Sequence, residues 1–145
     1  MRLLQGTYKI EDHKMEDSFD ALFEKKMSFD SCKLITFEKG KVVFEADVEE
    51  SDTNPYGFAH GGYLYTLCDN AAGILGYSLG SYVVTQQADI RYIVSAKKGD
   101  HLFIEATALH DGRSSKVGEV TVSDVSGKLF CKASFTLFPV KKVEE

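Results

Sequence analysis

One stretch, residues 54–72, carries the residue types that carbonyl and proton-transfer chemistry need. It reads Asn54-Pro55-Tyr56-Gly57-Phe58-Ala59-His60-Gly61-Gly62 and continues through Asp69 to Ala72. Gly61-Gly62 opens a run with helical spacing. Glycine is about 1 kcal/mol worse than alanine inside a helix. What it offers instead is close backbone approach by another molecule. The first turn of a helix also presents free N–H groups and the positive end of its dipole. Together these suit a polarised carbonyl or a developing oxyanion. A plain loop-to-helix turn uses the same dipeptide.

Asp69 lies within an apolar helical pattern, beside Cys68, Ala71 and Ala72. Aspartate is a poor mid-helix residue and is rarely buried without a partner. A carboxylate in a mostly apolar site is pushed toward its protonated form, which suits a base. A hydrogen-bonded Asp on an exposed stripe is the other reading. His60 reads either as a general base or as a residue that bonds backbone at the helix start and orders the loop. No carboxylate lies at an orienting distance in sequence, which favours the second role. Gly61 and Asp69 are eight residues apart, or ~12 Å along a helix rising ~1.5 Å per residue. A base must come within about 3 Å of its proton, directly or through one water. One chain therefore does not easily bring both to one carbonyl. A two-fold dimer with antiparallel helices would bring Gly61 of one chain to Asp69 of the other. The small residues Ala71, Ala72, Gly73 and Gly76 permit a close approach.

The elements that must position these groups follow from periodicity. Residues 1–15 are polar and mixed, an arm rather than an element. Residues 16–27 place Phe19, Leu22, Phe23 and Met27 on one helical face, with Asp17 or Ser18 as cap. Residues 33–37 and 41–48 read as strands joined by a Glu38-Lys39-Gly40 turn. The helix after Gly61 carries Leu64, Leu67, Cys68, Ala71, Ile74 and Leu75. It is apolar nearly all round, which predicts burial on most sides. Strands follow at 83–94, 102–109, 116–122 and 128–138, with turn signals at Asp111-Gly112 and Ser126-Gly127. The last strand alternates Leu129, Cys131, Ala133, Phe135 and Leu137 on one face, with Phe130, Lys132, Ser134, Thr136 and Phe138 on the other. Two strands, one long helix and four strands give an α+β fold, an antiparallel sheet wrapped around a helix.

Composition limits the function classes. The 145 residues are one domain's worth, 43% hydrophobic and 27% charged, with ten Phe and seven Tyr. That is globular rather than disordered. No apolar run is long enough to span a membrane, and the first residues lack the apolar segment of a secretory signal. A net charge of −5 argues against nucleic acid and anionic membrane as partners. It leaves room for a small phosphate pocket. Cys32, Cys68 and Cys131 are an odd set without CxxC spacing, expected as free thiols in a reducing cytoplasm. His13, His60, His101 and His110 lack metal-ligand spacing, so no metal or cofactor is expected.

Asn54, then His60-Gly61-Gly62, then Asp69, followed by Val83-Val84-Thr85-Gln86-Gln87 and a strand ending Ser95-Ala96, resembles the hotdog-fold acyl-CoA thioesterases of the phenylacetate-pathway (PaaI-like) group. The resemblance covers about residues 33–138. It implies a single hotdog domain over 1–145, assembled as a homotetramer built from two dimers. It implies hydrolysis of an aryl- or medium-chain acyl-CoA to the carboxylic acid and free CoA, in a site shared between two subunits. By that resemblance the Gly61 N–H polarises the thioester carbonyl, with Gly62 beside it. Asn54 and His60 shape the loop, and Asn54 orients water or the thioester. Asp69 is the base or the nucleophile, and Thr85 helps hold the attacking water. Gln86, Arg113, Ser114, Ser115 and Lys97 (or Lys98) are contacts for the CoA moiety. Tyr56, Phe58 and Tyr63 line an acyl pocket or pack the dimer. Two other readings remain on the same residues. One is a non-catalytic acyl-CoA sensor or carrier on this fold. The other is a hydratase or dehydratase that pairs His60 with Asp69.

Overall fold

The fold is seen in a computed structural model that describes residues 32–143. The arm at 1–15 and the helix expected at 16–27 lie outside the described residues. Strands β1 (Lys33–Glu38) and β2 (Lys41–Asp47) form the expected hairpin. Gly40 turns it with a φ of 84°, a conformation in which a side chain is strained. A short 3₁₀ turn (Glu50–Asp52) and a loop lead into α1 (Gly61–Ser78), the single long helix among the described residues. Four strands follow: β3 (Ser81–Tyr92), β4 (His101–Asp111), β5 (Lys116–Ser123) and β6 (Leu129–Lys142). All pair antiparallel in one six-stranded sheet of order β1-β2-β4-β5-β6-β3. This is the hotdog architecture that the motif resemblance implies.

The sheet's inner face and α1 make the core. Leu67 and Leu75 of the helix are fully buried among Phe44, Ile104, Val120, Phe135 and Leu137 of the strands. Each such side chain contributes roughly 1.5–3 kcal/mol through removal from water.

The helix is buried on most sides, as its apolar pattern predicts: ten of its eighteen residues are buried, only Gly61 and Gly62 are exposed, and Thr66, Asp69, Asn70 and Gly73 form a half-buried stripe. Two details depart from the sequence pattern, each for a physical reason. Strand β6 runs four residues beyond its predicted end, through Pro139, because pairing with β3 (Val83↔Pro139, Tyr82↔Lys141) extends it. Phe130, placed by alternation on the outer face, is 1% exposed. The register jumps there from Val122↔Cys131 to Ser123↔Leu129, and such a bulge re-aims a side chain.

Candidate active site

Asp69 sits in the middle of α1 on the flank that faces β3. Thr85 lies on the inner face of β3, paired with the buried Leu137. Its hydroxyl donates to Asp69 Oδ1 at 2.5 Å. Asp69 is half-buried. The aspartate that looked misplaced in an apolar helix therefore has a polar partner, which meets the requirement on a buried carboxylate. Gln86 follows as the extra residue of a β3 bulge, since the register passes from Thr85↔Leu137 to Gln87↔Thr136. Its side chain is exposed.

Cys68, beside Asp69, is fully buried. A hydrogen bond with Cys131, and then burial, push its thiol far above the normal range. It is not poised as a nucleophile.

The start of α1 is built by the loop before it. Asn54 Oδ1 accepts from the backbone N–H groups of Tyr56 (2.9 Å) and Phe58 (3.2 Å). This closes an Asx-type turn, aided by Gly57 at φ 85°. Ala59 N–H bonds Ala96 O and His60 N–H bonds Asp52 O, both at 2.8 Å. His60 is the N-cap residue, but its side chain makes no cap hydrogen bond. The ordering role expected of its ring falls to its backbone, whose carbonyl accepts from Tyr63 and Leu64. The N–H groups of Gly61 and Gly62 have no partner among the described residues. They are the open donors that a helix N-terminus leaves.

Tyr92, at the end of β3, escaped sequence reasoning. Its hydroxyl donates to Gly61 O at 2.7 Å. A Cβ built on Gly61 would stand 3.2–3.3 Å from its ring and hydroxyl. Beside them is a cavity of about 210 Å³ lined by Gly61, Leu64, Tyr92, Ile93 and Val94, among others. Tyr63 is in the core rather than at this cavity, and Tyr56 is 83% exposed.

The residues expected to meet CoA do not form one group in the chain. Lys97 stands beside the 54–60 loop, where it bridges to Phe58, and Lys98 pairs with Glu50 at 3.0 Å. Arg113 is at the far end of α1, in a second cavity of about 470 Å³ that also takes in Lys116, Lys141, Lys142 and Asp111. Four cations against one carboxylate make it positive in an acidic chain. Ser114 is exposed and Ser115 half-buried next to it. Lys116 is 5% exposed, held by Asp111 and by Gly112 O at 3.3 Å.

Residues 56–131 match the thioesterase superfamily. A Streptococcus mutans protein, solved bound to acetyl CoA, is 42% identical, with a TM-score of 0.78 over 80% of this chain and 94% of that one. A Streptococcus pneumoniae protein solved as a hypothetical thioesterase is 38% identical, with a TM-score of 0.77 over 79% of this chain and 94% of that one. Its Asp→Ala and Thr→Ala variants, also solved, change positions sixteen apart, the spacing of Asp69 and Thr85. The 1,4-dihydroxy-2-naphthoyl-CoA hydrolase of Listeria monocytogenes is 29% identical over 76% of this chain and 91% of its own. The chain belongs to the thioesterase superfamily. Within it, the chain is a hotdog-fold thioesterase, an enzyme that hydrolyses thioesters, and it shares that fold with the Escherichia coli PaaI protein at 21% identity and a TM-score of 0.79 over 91% of this chain and 98% of that one.

Proposed function

We propose that this acyl-CoA thioesterase cleaves an aryl- or medium-chain acyl-CoA in a site shared between two subunits. The observation that carries the reading is the Asp69–Thr85 pair at 2.5 Å, set on an open helix flank ~12 Å along the axis from the free N–H groups of Gly61 and Gly62. Asp69 of one subunit and Gly61 of its partner then serve one thioester. The Gly61 N–H, with Gly62 beside it, receives the carbonyl oxygen and the charge that develops on it. Asp69 takes a proton from water as the oxygen attacks the carbonyl carbon, or attacks that carbon itself. Thr85, by donating to one carboxylate oxygen, fixes the other toward the substrate. Collapse of the tetrahedral adduct breaks the C–S bond. When water is the nucleophile, the acyl group leaves directly as carboxylic acid. When Asp69 is, it stays on the carboxylate as a mixed anhydride that a water then hydrolyses to the acid. On either route the sulfur takes up a proton as free CoA. Asn54 holds the loop that presents Gly61, and His60 hands the chain into the helix.

The Leu64, Ile93 and Val94 side chains in the cavity beside Gly61 suit an aryl or medium-length acyl group, and the Listeria relative's name carries an aryl acyl group. Arg113, with Ser114, Ser115 and the lysines around it, suits the CoA phosphates. Lys97 and Gln86 lie toward the other end of the substrate. β3 pairs only with β6 among the described residues, so its second edge is open to the same edge of another copy. Exposed Val84 and Phe138 on the outer face suit the packing of two such dimers into a tetramer. No described helix is long and apolar enough to cross a membrane, and the three free cysteines fit a cytoplasmic setting. A single domain with no cofactor completes the reading.

Free-thiol release from a panel of aryl and aliphatic acyl-CoAs tests it. The wild type releases thiol, and Asp69→Ala lowers kcat by ~10²–10⁴-fold. Full activity in that variant overturns the reading, and tight binding with no thiol release in either protein favours the carrier. Co-expression of Asp69→Ala with Gly61→Val tests site sharing. Each is inactive alone, and mixed dimers regain one intact site. No recovery places the whole site in one chain.

A further inference from the structure

Gly76 lies seven residues after Asp69, two helical turns on, and so on the same flank of α1. It is buried. A Cβ at this position would stand 2.4 and 2.8 Å from the two γ carbons of Val83. Real carbons do not approach so closely, and a β-branched valine has little rotamer freedom with which to move aside. Val83 and Thr85 are two apart on β3 and share its inner face. The depth at which β3 seats against Gly76 therefore sets how far Thr85 reaches toward Asp69. The connection adds no slack: Leu79 and Gly80 alone join α1 to β3, with Gly80 at φ 87°.

Glycine within a helix is about 1 kcal/mol less favourable than alanine. Local propensity does not account for Gly76, whereas the contact with Val83 does. The other mid-helix glycine, Gly73, has open space where its Cβ would be. Gly118 on β5 also has a close neighbour, with Leu75 Cδ2 at 2.6 Å from its Cβ position. That contact lies in the core beneath the helix and involves the far end of a flexible side chain.

We propose that Gly76 is a positioning residue for the Asp69–Thr85 pair. Its missing side chain lets Val83, and with it β3, close on α1 to the depth at which the Thr85 hydroxyl meets the carboxylate. The inference rests on the reading of Asp69 as the reacting group.

The experiment compares Gly76→Ala, Val83→Ala, the double variant and Gly118→Ala in the full chain. Thiol release and melting temperature are both read, with Asp69→Ala alongside. Gly76→Ala lowers kcat by roughly 10–10²-fold, the scale of a small misplacement of reacting groups, and leaves KM within about twofold. Val83→Ala removes the two γ carbons that the new Cβ would strike. The double variant therefore returns kcat to within about threefold of Val83→Ala alone, a coupling expected of touching residues. Gly118→Ala lowers the melting temperature but not kcat. Should Gly76→Ala not fold, Val83→Ile, which crowds the same contact from the strand side, carries the test by lowering kcat at constant KM. An unchanged kcat in the crowding variants, or no recovery in the double, overturns the inference while loss of activity in Asp69→Ala leaves the function standing. Full activity in Asp69→Ala overturns the function, and the positioning role with it.

Discussion

The Tyr92 hydroxyl donates to the Gly61 carbonyl oxygen at 2.7 Å, and its ring stands against the space where a Gly61 side chain would be. Desolvation raises the phenol's pKa, so it remains a donor at neutral pH. The end of β3 thus pins the first peptide of the helix. Tyr92→Phe keeps the ring and loses the bond, and kcat falls roughly 3–10-fold, in line with ~1 kcal/mol for a hydrogen bond. Gly61→Ala forces its Cβ against the ring and falls further. Steady-state kinetics of the two variants with one acyl-CoA check the order. Equal activity of Tyr92→Phe and wild type would show that the helix start holds itself.

Arg113 stands in the positive cavity with Lys116, Lys141 and Lys142. If this cavity takes the CoA phosphates, Arg113→Ala raises KM for acyl-CoA roughly tenfold, ~1.4 kcal/mol of charge-assisted contact, with kcat nearly unchanged. Added salt raises the wild-type KM in the same direction. An acyl N-acetylcysteamine thioester, which lacks the nucleotide, shows neither effect. Sensitivity of that truncated thioester to Arg113→Ala would assign the arginine another role.

His101 on β4 places Nδ1 2.6 Å from Asp47 and Nε2 3.3 Å from Glu45 on β2. The hydrogen bond to Asp47, against a smaller opposing desolvation, raises its pKa above the imidazole value. A raised folded-state value stabilises the fold fully below the unfolded pKa of about 6.5. That stability is lost as pH rises through the folded value. The ring is 44% exposed, so the effect stays within the ~0–1 kcal/mol of a surface pair. Urea midpoints between pH 5 and 8 check it. The wild type loses stability across the window relative to His101→Gln, and parallel curves would remove the role of the triad.

Most of the architecture was legible because its signals are local. Alternation marked the strands, Gly40 and Gly127 marked turns, and an aspartate inside an apolar helix marked itself as needing a partner. Thr85 as that partner was legible only through the family motif. Geometry alone gives no reason to choose it before β3 is seen to pack on the helix. Tyr92 was illegible because its bond to Gly61 spans 31 residues. The positive cavity was illegible for the same reason, since Arg113 and Lys142 meet only when the β4–β5 turn and the end of β6 come together. The close-packing glycine was seen as small, but its neighbour is the protein's own β3. Strand order was not legible either, because β3 follows the helix in the chain yet sits at the end of the sheet.

That placement has a consequence for how the molecule assembles. The contact between Gly76 and Val83 spans seven residues and that between Asp69 and Thr85 sixteen, whereas β3 meets its strand neighbour β6 across the whole of β4 and β5. Loop-closure entropy grows with the length enclosed, and contacts near in sequence form on the faster side of the folding scale. The Asp69–Thr85 pair is thus specified by one helix, a two-residue turn and the start of one strand. The slow, long-range closure of the sheet encloses a geometry that the chain can reach locally.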